Sequence, residues 1–230
     1  MSIHYTNISE HDDDAKFVAS TGIVSGPSDL YRTSVKRCLD VALTLLAAPV
    51  VLPFVITLAL CIFLRDGKNP FYSQKRIGLN GQVFTMWKLR SMVANADALL
   101  EKHLSENPDA RAEWDSKQKL RNDPRITPFG AVLRKASLDE LPQLWNVLKG
   151  DMSLVGPRPM MPEQRALYAG QSYYGMRPGV TGPWQISDRN DTTFSRRVQF
   201  DDAYDDQLSF QTDTKIILAT VRVVFKGTGC

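Results

Sequence analysis

The 230-residue chain is long enough to bury a real core, and its formal net charge of +3 is too small by itself to point to nucleic acid. Its cysteines, Cys38, Cys61 and Cys230, have no CxxC spacing, so neither a disulfide framework nor a zinc site is readable. That pattern suits a reducing, cytosol-facing protein.

The first residues are polar, carry the acid run Asp12-Asp13-Asp14, and read as a disordered tail over residues 1–34 rather than a cleavable signal peptide. Val41 to Leu64 then contains no charged residue. As a helix it would be roughly 36 Å long, enough to cross a bilayer. Pro49 and Pro53 lie in its middle, each removing an amide donor. Cations flank both ends, Arg32, Lys36 and Arg37 before and Arg65 and Lys68 after, which would place both ends in the cytoplasm. A re-entrant helix-break-helix anchor over residues 35–66 satisfies both observations, and a kinked single crossing is the alternative. Residues 67–230 read as a cytoplasmic catalytic domain.

The stretch from Arg65 to Arg90 adds Lys75, Arg76 and Lys88 against Asp66 alone, a patch suited to anionic headgroups or phosphorylated ligands, or simply a solvated basic face. Phe71 to Ile77 and Val83 to Trp87 are strand-like runs around Asn80-Gly81, the signature of a tight hairpin. Met92 to His103 and Arg111 to Leu120 read as solvated amphipathic helices, divided by Asn107-Pro108. Asp213 to Lys226 is a last helix that either covers the core or lies on a membrane surface.

Chemistry concentrates after Pro128. Asp139 and Glu140 open an apolar helical stretch, Leu141 to Leu148. Ser137 with Glu140 matches a capping box, whereas Pro142 fits a register in which Asp139 is the N-cap. In the second register a carboxylate stands at a helix N-terminus, a location that also favours phosphate, and could attack a phosphorus. Arg134, Arg158 and Arg177 sit nearby, two of them in proline or glycine-proline contexts that would stiffen a phosphate-binding fork. No phosphate-binding GxxxxGK[ST] loop, GxSxG elbow or paired histidine is present. Asp201, Asp202, Asp205 and Asp206 read as a solvated helix face answering Arg196 and Arg197, with metal binding the lesser alternative.

These blocks together resemble the bacterial sugar transferase family, the monotopic polyprenyl-phosphate phosphoglycosyl transferases. The resemblance runs from about Lys36 to the C-terminus. It rests on Lys36-Arg37 with Asp40, Pro53, Gln74-Lys75-Arg76-Ile77-Gly78, Lys88-Leu89-Arg90-Ser91-Met92, Ser137 to Gln143, Gly150-Asp151-Met152-Ser153, Val155 to Pro159, and Arg177 to Gly182. It is nearest to members that load galactose-1-phosphate or glucose-1-phosphate at the start of exopolysaccharide synthesis. The resemblance implies a mainly α fold with a β-hairpin on a re-entrant anchor broken at Pro49 and Pro53, resting on the cytoplasmic face of the bacterial inner membrane. It implies Mg²⁺, a UDP-hexose donor, undecaprenyl phosphate as acceptor and membrane lipids as surroundings, with no nucleic acid and with room for a homo-oligomer. On matching positions Asp139 would be the nucleophile, Glu140 a metal or proton partner beside it, and Lys88, Arg134, Arg158 and Arg177 phosphate ligands. Asp139 and Glu140 would hold the metal. Two positions depart from the family: Leu52 stands where serine often precedes the membrane proline, with Pro49 extra, and Leu89 replaces a usual phenylalanine. The rival readings are a glycosyltransferase that moves the sugar alone and releases UDP, and a non-catalytic membrane scaffold.

Overall fold

The apolar run that water cannot solvate becomes the longest element of the molecule. The structure, a computed structural model, describes residues 30–117, 120–187 and 194–226. A π-helical turn, Tyr31–Val35, leads directly into α1, Lys36–Asp66. Only 17% of the most apolar window of this helix is buried inside the protein, so it is not a core helix of a soluble fold. It ends at Gly67, whose φ of 66° suits glycine and whose amide donates to the Phe63 carbonyl at 2.7 Å.

Helical geometry continues through Pro49 and Pro53. The missing proline amides deprive the carbonyls of Leu45 and Pro49 of their usual donors. The Pro53 carbonyl, which lost no donor, also accepts from the Thr57 hydroxyl at 2.9 Å. The mid-segment break expected from the sequence is therefore a gap in the hydrogen-bond ladder, not an interruption of the helix.

The head of this helix corrects the tail boundary expected at residue 34. Residues 31–34 are ordered because Tyr31 is buried and donates its hydroxyl to Asp213 Oδ2 at 2.8 Å, while Arg32 pairs with Asp205 at 2.6 Å. The earlier part of that tail lies outside the described residues. Arg37 donates to the carbonyls of Val147 and Leu148, and Asp40 accepts from Ser153 Oγ at 2.7 Å and from the Leu154 amide at 3.0 Å. The far end of α1 meets the same folded unit. Val55, Ala59 and Ile62 pack on Leu89 and Leu133, and Asp66 takes a two-pronged bond from Arg90 at 2.6 and 2.7 Å.

The expected hairpin forms between β1, Phe71–Ile77, and β2, Val83–Leu89, in register from Phe71 with Leu89 to Ile77 with Val83. Asn80 and Gly81 take the positive φ values their pairing demands, 57° and 74°. The turn is wider than the two-residue form, because Gly78 closes on the Gln82 carbonyl at 2.7 Å. The two helices that follow are α2, Ala96–Glu106, and α3, Pro108–Lys117. The first starts later than periodicity predicts because Met92 bridges Ile126 and Val93 donates to the Arg125 carbonyl, holding that segment extended. The second starts earlier, at a proline well suited to a first helical turn.

Helix α4, Pro128–Lys135, is capped by the Thr127 hydroxyl, which accepts from the Gly130 amide at 2.9 Å. Next come α5, Gln143–Lys149, and β3, Ser153–Val155. β3 pairs in parallel with β4, Gly179–Thr181, which is followed by α6, Pro183–Ile186. This parallel pair was not expected. Its backbones approach so closely that a Cβ on Gly179 would lie 2.1 Å from the Gly156 amide nitrogen. The chain finishes with α7, Arg197–Asp206, and α8, Phe210–Lys226. The last helix covers the core through Ile216 and leaves Leu218 and Val221 exposed.

Asp40→Ala would leave the Leu154 amide and the Ser153 hydroxyl without their buried acceptor, at a cost of about 1–3 kcal/mol. The detergent-solubilised variant should melt at lower temperature, with Asp40→Asn closer to wild type. Equal melting of Asp40→Ala and wild type would show that this contact contributes nothing.

Candidate active site

The end of β2 runs straight into the site. Ser91, two residues past the strand, receives α4 so closely that a Cβ on Gly130 would lie 1.8 Å from the Ser91 carbonyl oxygen. That carbonyl accepts from the Thr127 amide at 3.1 Å, and the Ser91 hydroxyl accepts from Arg134 Nε at 2.9 Å. Arg134 is thereby fixed by a residue that sequence reasoning had not assigned a role.

The chain leaves α4 through Ser137, a non-glycine residue with φ 54°, and enters a 3₁₀ turn, Leu138–Glu140. This left-handed residue corrects both capping readings. The Ser137 carbonyl accepts the Glu140 amide within the turn, its side chain caps nothing, and Pro142 rather than Asp139 occupies the N-cap position of α5. Asp139 thus lies within the 3₁₀ turn that precedes α5 rather than at the cap of that helix, and the charges nearest to it belong to side chains.

Those side chains converge. Lys88 of β2 reaches Glu140 Oε1 at 2.7 Å and Asp139 Oδ2 at 3.9 Å. Asp139 is 5% exposed. Burial pushes its carboxyl above the ordinary range, Lys88 opposes that, the neighbouring Glu140 charge reinforces it, and Arg134 opposes it again. A poorly hydrated carboxylate kept beside two cations is a competent nucleophile toward an electrophilic phosphorus. Ser137 supplies backbone strain two residues before it, a feature that concentrates at functional turns.

Among the described residues, no group of three or more histidine, cysteine, aspartate or glutamate side chains forms a cluster able to hold a metal. Mg²⁺ is commonly bound by one or two carboxylates completed by water and substrate phosphates, so the adjacent Asp139 and Glu140 fit that donor set.

The segments that bear Arg158 and Arg177 meet where Gly156 packs against the Arg177 backbone. Arg177 donates through Nε to the Gly150 carbonyl at 3.0 Å. Arg158 stands on the loop after β3, within electrostatic reach of Arg76 and Arg197. The acid run on α7 also departs from expectation. Asp201 is buried, accepts the Tyr168 hydroxyl at 2.9 Å, and is pushed up to about 6 chiefly by burial, while Asp205 pairs with Arg32. A four-residue spacing from Arg197 to Asp201 was the one available sequence signal, and it is equally the spacing of a surface ion pair.

Residues 31–227 match the bacterial sugar transferase family. A UDP-galactose-lipid carrier transferase of Erwinia amylovora is 47% identical over 196 residues, 84% of this chain and 41% of that protein. The exopolysaccharide production protein ExoY of Sinorhizobium fredii is 43% identical over 84% of this chain and 87% of its own length. An undecaprenyl-phosphate galactose phosphotransferase of Salmonella typhimurium is 44% identical over 84% of this chain and 41% of its own. The chain thus spans less than half of two of these relatives and most of the third. With Asp139 and Glu140 on one turn, Lys88 of β2 beside both and Arg134 of α4 within electrostatic reach, and with the match running through all of them, the chain belongs to the bacterial sugar transferase family.

Proposed function

We propose that this protein transfers a hexose 1-phosphate, galactose or glucose, from a UDP-hexose to undecaprenyl phosphate and releases UMP, as the first membrane step of exopolysaccharide synthesis. The observation that carries this reading is the buried Asp139 carboxylate beside Lys88 and Glu140. In the first step an Asp139 oxygen attacks the sugar-bearing phosphorus, and the bond to the bridging oxygen breaks with its electron pair leaving on UMP. In the second step a phosphate oxygen of the lipid attacks the same phosphorus and returns Asp139 as carboxylate. Splitting the displacement in two lets one site handle a soluble donor and a membrane acceptor in turn. Lys88 and Arg134 offset charge that builds on the transferring group, and Lys88 also holds Glu140 in place. Asp139 and Glu140 would hold Mg²⁺, which when bound neutralises phosphate charge.

In this reading the apolar helix is re-entrant and both of its ends face the cytoplasm. Support comes from the contacts of α1, whose head (Arg37, Asp40) and tail (Ile62, Asp66) both touch one folded unit. A straight crossing of roughly 39 Å from Asp40 to Asp66 would carry the two ends to opposite leaflets, where one unit cannot meet both.

Asp139→Asn should reduce turnover by about a hundredfold or more while leaving the protein folded and membrane-bound, since the amide is nearly isosteric but a poor nucleophile. Enzyme mixed with labelled UDP-galactose or UDP-glucose and Mg²⁺, without lipid, should release up to one equivalent of UMP and retain label on the protein. Release of UDP, or UMP formation strictly dependent on lipid, would refute the two-step scheme.

The topology is tested separately. Cysteines introduced one at a time at Ser34 and Lys68, in a background lacking Cys38, Cys61 and Cys230, should resist an impermeant thiol reagent in intact cells and react after lysis. Labelling of either position in intact cells would overturn the re-entrant reading.

A further inference from the structure

The hairpin holds two strands among the described residues, so the edge of β2 that faces away from β1 has no strand to pair with. Asn146 of α5 serves that edge instead. Its Oδ1 accepts the Trp87 amide at 3.1 Å, and its Nδ2 donates to the Thr85 carbonyl at 2.7 Å. One carboxamide thus stands where a peptide group of a third strand would stand. Only one orientation of the amide satisfies both, because the Trp87 backbone offers a donor and the Thr85 backbone an acceptor. The second Nδ2 hydrogen goes to Asp151 Oδ2 at 3.0 Å, so this side chain, in a residue 0% exposed, has a partner for each of its polar atoms.

The backbone of the same residue gathers the chain that follows α5. The Asn146 carbonyl accepts the amides of Gly150, Asp151 and Met152 at 3.1, 3.0 and 3.2 Å. Close by, Arg37 of α1 donates to the carbonyls of Val147 and Leu148. Helix α5 is therefore held to both the membrane helix and the hairpin, and it starts at Gln143, just past Glu140. Lys88 follows Trp87 directly in β2, so the two ends of the Lys88–Glu140 contact are carried by elements that Asn146 joins. Met86 of β2 also packs with Val147 and Met152, but dispersion contacts are not directional and leave the strand free to slide. Hydrogen bonds are directional and stop that slide. A slip of one residue moves a strand by about 3.4 Å, enough to break a bonded ammonium–carboxylate contact.

We propose that Asn146 is a positioning residue for the transfer reaction, setting the register of β2 on α5 and with it the reach of Lys88 to Asp139 and Glu140. What Lys88 does in transfer rests on the reading above; its placement by Asn146 rests on geometry alone. Being fully buried, Asn146 meets no reacting atom and acts only through the strand. Loss of its two strand bonds frees β2 to shift, and the Lys88 ammonium, now 2.7 Å from Glu140 and 3.9 Å from Asp139, then turns toward water.

The test uses full-length protein in detergent, as Asn146→Ala, as Asn146→Asp combined with Asp151→Asn, as Lys88→Met, and as Lys88→Met combined with Asn146→Ala. The exchanged pair keeps a carboxylate–amide contact and an acceptor for the Trp87 amide, and withdraws only the donor to Thr85, so it stays measurable where Asn146→Ala unfolds. Brief treatment with an amine-acetylating reagent, read by peptide mass spectrometry, reports the placement of Lys88. Its acetylation should run about threefold faster or more in Asn146→Ala and about twofold faster in the exchanged pair, with Lys102 on α2 unchanged. With UDP-galactose and undecaprenyl phosphate, Asn146→Ala should lower kcat about tenfold and change the donor KM less than about threefold. In the Lys88→Met background the same substitution should cost less than about twofold, because its effect passes through a side chain already removed. Unchanged labelling of Lys88 in both Asn146 variants would overturn the proposal. So would an equal rise at Lys102, which marks general loosening, or a kcat loss as large without Lys88 as with it. Wild-type turnover of Lys88→Met would instead refute the part given to Lys88 in transfer, and faster labelling of Lys88, which needs no turnover, would still show that Asn146 places it.

Discussion

Asp40 ties a helix that prefers lipid to a strand that must be dry. Its two carboxylate oxygens are divided between the Ser153 hydroxyl and the Leu154 amide, so one side chain closes the edge of β3 and sets the depth of α1 against it. β3 then sets the rest. Its continuation meets β4 through glycine backbones too close for any side chain, and that contact brings the Arg158 loop and the segment bearing Arg177 into one place. Were Asp40 unable to accept, an unpaired amide would sit at the junction where membrane element and catalytic unit share their packing.

The two charged loci differ in how their charge is managed. At Asp139 opposite charges sit close, with Lys88 shared between two acids, so the carboxylate stays usable despite its burial. At Arg158 like charges are crowded and held by backbone carbonyls. One hairpin carries both, since Lys88 and Arg76 lie on the same face of β1 and β2.

Much of this was legible in the sequence, where local chemistry left few choices. Asn80-Gly81 between alternating strands had to be a hairpin, an uncharged run of that length had to become a long helix exposed to something other than water, and the ordered motif blocks led to Asp139 and Glu140. The failures share a physical origin. The Ser137 register looked like a cap because Ser, Glu and Pro are all cap-compatible, and nothing in the local sequence marks Ser137 as the left-handed residue that cancels it. Strands of three residues such as β3 and β4 carry no periodicity to read. Asp201 and Arg197 looked like surface partners because burial is decided by Tyr168 and the Arg158 loop, both distant in sequence.

Asp213 gathers the start and the end of the fold. Its carboxylate takes hydrogen bonds from Tyr31 and Lys36 at the head of the apolar helix and from Tyr204 on α7, at 2.8, 2.6 and 2.6 Å. The contacts to Tyr31 and Lys36 close loops of 182 and 177 residues. A ribosome delivers Lys36 177 residues before Asp213, so the helix reaches the bilayer before its carboxylate partner exists. Membrane insertion and folding of the catalytic unit are consequently ordered in time. Lipid receives the helix while it is still unclasped, and the clasp then fixes an arrangement that the membrane has already chosen.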